Sequence, residues 1–153
     1  MRVVIMKIMM RCMMTREIKF RAWHKEDQKM LVVVGVSFGI NLESDNTEIL
    51  SVSCAEVTGG RWKFAGDHEA DEVILMQSAG LKDKNGKEIY EGDVLFHAIQ
   101  GRRVVYYPFR NSVASFGLKC VAHGFKSTLY DADRLYEVIG NIHENPELLE
   151  NKQ

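Results

Sequence analysis

Four carboxylates lie close together in the middle of the chain and could do acid–base chemistry. They are Asp83, Glu88, Glu91 and Asp93. Hydrolysis of a glycosidic bond needs two carboxylates that face each other across the substrate. Asp is also the residue that accepts backbone N–H bonds where a chain reverses. This second interpretation is favoured: Asp83 caps a turn, Asp93 accepts backbone bonds after Gly92, and no catalytic residue is assigned.

Other residues that do chemistry are scattered. The chain has five histidines, His24, His68, His97, His123 and His143. It has three cysteines, Cys12, Cys54 and Cys120. No two histidines have the spacing of metal ligands, and no Cys-x-x-Cys motif is present. No serine lies in a Gly-x-Ser-x-Gly elbow. The sequence therefore predicts a non-enzymatic protein without metal or cofactor, and the few separated thiols fit a reduced, cytoplasmic setting.

A basic and aromatic segment is the best candidate for an interaction surface. It contains Arg102, Arg103, Tyr106, Tyr107 and Arg110. Guanidinium groups and aromatic rings bind single-stranded nucleic acid by stacking on bases and neutralising phosphates. The alternative is a hairpin whose aromatic side chains pack inward while its arginines are solvated. The alternative is favoured because the chain is nearly neutral, with 20 Lys and Arg against 21 Asp and Glu.

The two tryptophans, Trp23 and Trp62, are candidates for a protein interface. Tryptophan is enriched among the residues that dominate binding energy at interfaces. It is also a common, partly buried residue of protein cores. The sequence leaves both interpretations open for both residues.

Turn signals position these side chains. The dipeptide Asn85-Gly86, between two apolar runs, predicts a hairpin with a type I′ turn, in which both central residues take positive φ. A second turn signal, at Gly92 and Asp93, precedes a strand that begins with a β-branched residue. A third, at residues 100–101, predicts another tight hairpin. The residues assigned to structural turns are Asp83, Asn85, Gly86, Gly92 and Asp93.

Short apolar segments between these turns indicate strands. Ile18–Trp23 alternates apolar and polar residues, as a half-buried strand does. Met30–Val36 is a continuous Val-rich run and predicts a strand buried on both faces. For Thr128–Tyr136 the sequence allows either one or two helical turns or an irregular bridge. Asn145 is the expected N-cap of a short terminal helix, with Pro146 at its first position.

The first fourteen residues hold six of the eight methionines. Lys7 and Arg11 interrupt the apolar run, and no small-residue cleavage site follows, so a signal peptide is not indicated. We expect residues 1–14 to be a dispensable extension, with Met13 or Met14 as the genuine start. No run of eighteen apolar residues is present, so no membrane span is predicted.

Together these patterns predict a mainly β fold. We expect a small β-barrel or meander, SH3-like in part, with an N-terminal β-sheet region and a short C-terminal helix. The expected domain covers residues 15–149. Its N-terminal β region spans 15–80, its C-terminal barrel region spans 81–149, and residues 150–153 form a tail.

Three segments carry a resemblance to a known family. They are Lys19–Trp23, with Lys29 and Met30 behind it, the block Leu75–Leu95, and Tyr136–Leu149. In order and spacing they resemble the YopX family of phage and prophage proteins, from about residue 14 to residue 149. The resemblance implies a small, soluble, phage-associated protein, and it supplies no catalytic residues.

We therefore predict a phage- or prophage-encoded accessory protein that binds a host or phage protein in the host cytoplasm. One alternative is a module that binds single-stranded nucleic acid through the Arg102–Arg110 hairpin. The second is a small hydrolase or nuclease that uses the carboxylates near Asp93. The identity of the partner and self-association are left open.

Overall fold

A computed structural model describes residues 18–41, 46–109 and 115–150. The predicted extension 1–14, Arg110 and most of the predicted tail lie outside these residues. The first sheet contains β1 (Phe20–His24), β2 (Lys29–Asn41), β3 (Asn46–Thr58), β4 (Arg61–Glu69), β5 (Val73–Lys82) and β6 (Glu88–Tyr90). The second contains β7 (Asp93–His97), β8 (Gly101–Tyr106), β9 (Gly117–Cys120), β10 (Lys126–Thr128) and β11 (Glu137–Asn141). The helical elements are α1 (Ala132–Leu135) and a 3₁₀ helix, Pro146–Leu149.

The first sheet is antiparallel and strongly curled. Its strand order is β4-β3-β2-β1-β5-β6, so three strands separate β4 from β5. Only residues 70–72 connect those two strands, and the sheet must curl for so short a link to span it. Register shifts in β2 and β3 show bulges, which bend strands and increase their twist. The concave side buries one apolar cluster: Ala22, Leu31, Val52, Cys54 and Val73.

The second sheet is a meander with one strand added. β7, β8, β9 and β10 follow one another, and β11 returns to pair with β7 on its other side. Its core contains Ile89, Leu95, Val105, Leu118 and Tyr136. The prediction of a mainly β protein is confirmed. Within the described residues both sheets are open, so the expected closed barrel is not seen; β10 has only three residues, and it pairs with β9 alone.

Some local predictions need correction. Met30–Val36 is a strand but is not buried on both faces, because Val34 lies at a bulge with 55% of its surface exposed. The terminal helix begins at Pro146 as predicted, but it is a 3₁₀ helix. Asn145 makes no side-chain capping bond to it; its Oδ1 instead accepts the N–H of Asn141 at 3.4 Å. Segment 128–136, for which the sequence allowed either helical turns or an irregular bridge, contains the single helical turn α1.

The turn after β5 is present but is not of type I′. Outside glycine, the described residues with positive φ are Gln28 and Asp131, so Asn85 lacks the φ that a type I′ turn requires. Gly86 N donates to Asp83 O at 2.9 Å, and Gly86 itself takes a φ of 82°. This arrangement matches a type I turn followed by a left-handed glycine. No helix in the described ranges is long and apolar enough to cross a membrane.

Candidate functional site

A buried ion pair joins the two sheets. Arg21 of β1 donates from Nη2 to Asp93 Oδ1, at the start of β7, over 2.6 Å. Tyr90 N donates to Asp93 Oδ2 at 2.8 Å, and the Arg21 guanidinium lies 4.8 Å from the centre of the Tyr90 ring. Burial raises the pKa of Asp93, while Arg21 and the Tyr90 N–H oppose that rise. Both carboxylate oxygens are therefore used within the protein.

Asp93 accepts a backbone N–H as predicted, and the donor is Tyr90, three residues before it. Gly92 is required by the geometry. It takes a φ of 78°, its N–H donates to Val105 O and its carbonyl accepts the N–H of Ile142, both at 2.9 Å. Through these two bonds Gly92 connects β8 and the residue after β11 to the start of β7.

Asp83 is a second buried carboxylate with a structural role. Its Oδ1 accepts the N–H groups of Asn85 and Lys87, and its Oδ2 accepts that of Val138, each at 2.9 Å. Burial raises the pKa of Asp83, but the three N–H groups outweigh it, so the pKa lies below its ordinary value. Because Val138 belongs to β11, this side chain connects the turn after β5 to the second sheet.

The other two carboxylates of this block are held differently. Glu88 accepts a bond from Lys19 Nζ at 2.7 Å and one from the Tyr90 hydroxyl at 2.9 Å. The Lys19 bond and then the Tyr90 bond lower the pKa of Glu88, while burial raises the pKa of Tyr90 to about 12. Burial raises the pKa of Glu91. Asp83, Glu88 and Asp93 are thus each bonded within the protein, and Tyr90 is bonded to both Glu88 and Asp93.

The basic and aromatic segment does not form one surface. Consecutive strand residues point to opposite faces, and Arg102 and Arg103 are consecutive on β8. Arg103 is buried and donates from Nη1 to Ser127 Oγ at 2.9 Å, whereas Arg102 donates from Nη2 to Glu150 O at 2.7 Å. This alternation was readable from the sequence and argues against two arginines contacting one nucleic-acid strand.

The tyrosines of the segment are packed against neighbours. The Tyr106 hydroxyl donates to Phe109 O at 3.1 Å. The Tyr107 ring lies 5.2 Å from that of Phe116, and 41% of Tyr107 is exposed. Tyr107 is therefore the most accessible described member of the segment. Arg110 falls outside the described residues.

The two tryptophans differ in environment. Trp23 is half-buried, and its ring stacks on that of His143 with 5.7 Å between centres and 18° between planes. Trp62, on β4, is 64% exposed and pairs across the ladder with Val57 of β3. Trp23 therefore packs at the junction between the sheets, whereas Trp62 is available to a partner.

Trp62 belongs to an exposed apolar surface of the first sheet. Phe64 lies two residues further along β4, on the same side as Trp62, and is 61% exposed. Val34 lines one groove together with Val32 and Trp62. We refer to Val34, Val57, Trp62 and Phe64 as the apolar face. Sequence reasoning found only its tryptophan, because the other members are distributed over three strands.

The structure also brings together residues that the sequence did not connect. His24 at the end of β1 and His68 on β4 have ring centres 4.6 Å apart, and Glu72 lies beside them. No local spacing could have shown this, since the contact depends on the curl of the first sheet.

Comparison with known proteins identifies the family of this chain. The sequence model of the family described as "YopX protein" matches residues 19–150. The chain belongs to the YopX family. The resemblance seen in the sequence is therefore confirmed. A comparison with curated proteins found no match.

Two solved structures are similar to this YopX chain. One is the crystal structure of protein EF1440 from Enterococcus faecalis. It is 28% identical, with a TM-score of 0.58 over 88% of this chain and 99% of that one. The other is protein yopX from Bacillus subtilis. It is 22% identical, with a TM-score of 0.47 over 88% of this chain and 98% of that one.

Proposed function

We propose that this YopX protein is a non-enzymatic accessory protein that binds another protein through its apolar face. The supporting observation is the exposure of Trp62 and Phe64 on one strand, next to Val57. Contiguous exposed apolar side chains mark interaction sites on folded proteins. Tryptophan is among the residues that carry most of the binding energy at interfaces. The family resemblance supports a phage or prophage origin and a host or phage partner in the host cytoplasm.

The position of the apolar face in the sheet indicates what kind of partner fits it. Within the described residues, β4 has a neighbour on one side only, so its other side presents backbone N–H and C=O groups. A partner that adds an extended strand there would gain main-chain hydrogen bonds and could cover Trp62 with its own apolar side chains. The partner we propose therefore presents an extended, partly apolar segment.

The second sheet offers weaker support for binding. Its meander, with a last strand returning beside the first, is similar by analogy of fold alone to SH3-like domains, some of which bind Pro-rich peptides. Its aromatic and basic segment is less suited to nucleic acid, since Arg103 is buried and Arg102 is bonded to Glu150 O. For the hydrolase alternative, Asp93 is a poor candidate because it is bonded to Arg21.

A bait comparison tests the proposal. Full-length protein, a Trp62→Thr/Phe64→Thr variant and an Ile99→Thr control are used to capture proteins from phage-induced host cells. Threonine retains the strand preference of the replaced residues. Ile99 is an exposed apolar residue outside the apolar face. A captured protein is then purified, and its affinity is measured at low and high salt.

We expect a partner that binds the native protein and the control equally and that loses 100-fold or more with the double variant. Its affinity should change little with salt, since apolar contacts are not screened. Equal affinity for all three baits would contradict the proposal. Oligonucleotide binding that survives physiological salt and requires Arg102 would favour the nucleic-acid alternative instead.

A further inference from the structure

The corner where β4 meets β1 contains two imidazoles and a carboxylate. His24 is buried at the end of β1, and His68 lies on β4, directly opposite Val52 of β3. Glu72 follows in the link to β5, with its Oε2 3.7 Å from His68 Nδ1. One ligand atom from each of His24, His68 and Glu72 lies within 4.8 Å of the other two. Three potential metal ligands therefore converge from two separate parts of the chain, the end of β1 and the stretch from β4 into the link to β5.

One imidazole nitrogen at this corner has no partner among the described residues, and one of the other ring becomes available when its hydrogen moves. His68 Nε2 is buried and has no hydrogen-bond partner. Such an atom is costly to leave unsatisfied inside a protein. At His24, Nδ1 accepts the N–H of Asp27 at 3.1 Å and lies 3.4 Å from Asp27 Oδ2. For Nε2 of His24 to bind an ion, the ring hydrogen must move to Nδ1; the bond from Asp27 N is then lost, and Asp27 Oδ2 is placed to accept the hydrogen instead. A carboxylate behind a ligating histidine is the usual second partner in metal sites.

We propose that His24, His68 and Glu72 form a site for a divalent transition-metal ion of the zinc type. Two imidazoles with one carboxylate make a set that zinc and its neighbours accept, whereas magnesium and calcium prefer oxygen ligands alone. Ligand atoms on a tetrahedral zinc ion lie about 3.3 Å apart. The three groups must therefore approach by rotation of their side chains. The half-exposed Glu72 can turn toward the ion if its Oε2 gives up the Glu69 N–H that it accepts at 2.9 Å. Water completes the coordination.

The position of the site gives it a structural consequence. β1 and β4 make no ladder with each other, because β2 and β3 lie between them in the sheet. An ion bound by His24 and His68 would link the two strands directly and hold the sheet in its curled form. This site lies apart from the apolar face, so the inference is independent of the proposed protein partner.

Titration with Zn²⁺ alone tests the site. Full-length protein is freed of metal with a chelator and titrated by calorimetry, and its thermal unfolding is followed with and without zinc. The test variants are His68→Gln and Glu72→Gln, and the control is His123→Gln, which removes an exposed histidine from a turn of the second sheet. A Cys12→Ser variant removes the thiol of the N-terminal segment as an alternative ligand.

We expect one zinc ion per chain and a rise of several degrees in the unfolding temperature. Both test variants should lose tenfold or more in affinity, while His123→Gln and Cys12→Ser should bind as the native protein does. Cobalt should give the intense visible absorption of tetrahedral coordination. Unchanged affinity in His68→Gln or Glu72→Gln, or no binding to the native protein, would overturn the proposal. The Glu72 side chain is half-exposed, so its variant tests the site even if His68→Gln fails to fold.

Discussion

The two sheets expose their apolar side chains in different ways. In the second sheet the most exposed ones, Ile99, Phe125 and Tyr130, lie in turns and loops between strands. In the first sheet Trp62 and Phe64 stand on a paired strand. Side chains on a strand are held in fixed relative positions by the ladder, so they form a continuous surface, whereas isolated loop residues are ordinary on any protein. The first sheet is therefore the better binding surface.

The two buried carboxylates lie at the junction between the sheets rather than on the face of either one. Asp83 and Asp93 lie where the first sheet leads into the second, and each accepts backbone N–H groups there. Arg21 and Val138 bring one contact from each sheet to these carboxylates. We therefore expect variants at the junction to lower stability and variants on the apolar face to lower binding.

The largest loss of stability is expected from Arg21→Leu. The substitution leaves the Asp93 carboxylate buried without its cationic partner, which costs about 3–5 kcal/mol. Urea denaturation measures the free energy of unfolding. The double variant Arg21→Leu/Asp93→Leu should recover much of the loss, because an uncompensated charge is no longer buried. A single variant within 1 kcal/mol of the native protein, on the order of a surface change, would show that the pair is dispensable.

Asp83→Ala should be the next most damaging change. It leaves the N–H groups of Asn85, Lys87 and Val138 without their acceptor, at a cost of about 3 kcal/mol in total. Asp133→Ala, on the exposed first turn of α1, serves as the control. If Asp83→Ala and Asp133→Ala have equal denaturation midpoints, the junction does not depend on this carboxylate.

The same residue predicts a pH dependence. The pKa of Asp83 is lower in the folded protein than its ordinary value of 3.8. Its stabilising contribution is therefore complete above the unfolded pKa and disappears as the pH falls through the folded pKa. Unfolding free energies measured between pH 6 and about pH 2 should fall less steeply in Asp83→Ala than in the native protein. Parallel curves for the two proteins would contradict this assignment.

Gly86→Val should have an intermediate effect of about 2 kcal/mol, because a β-branched residue is strained at positive φ. A Cβ at this position would meet no atom within 4 Å, so the cost comes mainly from the backbone. Gly86→Asn should cost less, since Asn tolerates the left-handed conformation. Equal denaturation midpoints for the Val and Asn variants would show that the turn adapts to either residue.

The smallest effect on stability is expected on the apolar face. Trp62→Thr and Phe64→Thr each replace an exposed side chain with another strand-forming residue, so each should cost less than about 1 kcal/mol. Thermal unfolding compares them with the native protein. A loss of 3 kcal/mol or more, on the order of a core truncation, would place these rings in the stabilising core and remove the distinction between the two sheets.

The positions of the turns and the family membership follow from the residues alone. Residues 83–86 form a turn as predicted, because glycine and the short polar side chains act on the backbone next to them. The hairpin predicted at 100–101 is also present, but its turn comprises residues 98–100, and Gly101 begins β8 opposite His97. Strands were found where residues alternate or are Val-rich, since these properties belong to single segments. The turn type was wrong because the Asp83 carboxylate fixes two N–H groups of its own turn, which leaves only Gly86 with positive φ.

Which surfaces meet depends on how the strands bend and pack against one another. The bulges of β2 and β3 and the curl of the first sheet expose Val34 and place His24 beside His68, and no spacing along the chain records such a bend. Trp23 and Trp62 have the same chemistry, yet one stacks on His143 and the other faces solvent. Burial depends on what the rest of the chain packs against a side chain, so only the assembled sheets distinguish a core residue from a binding residue.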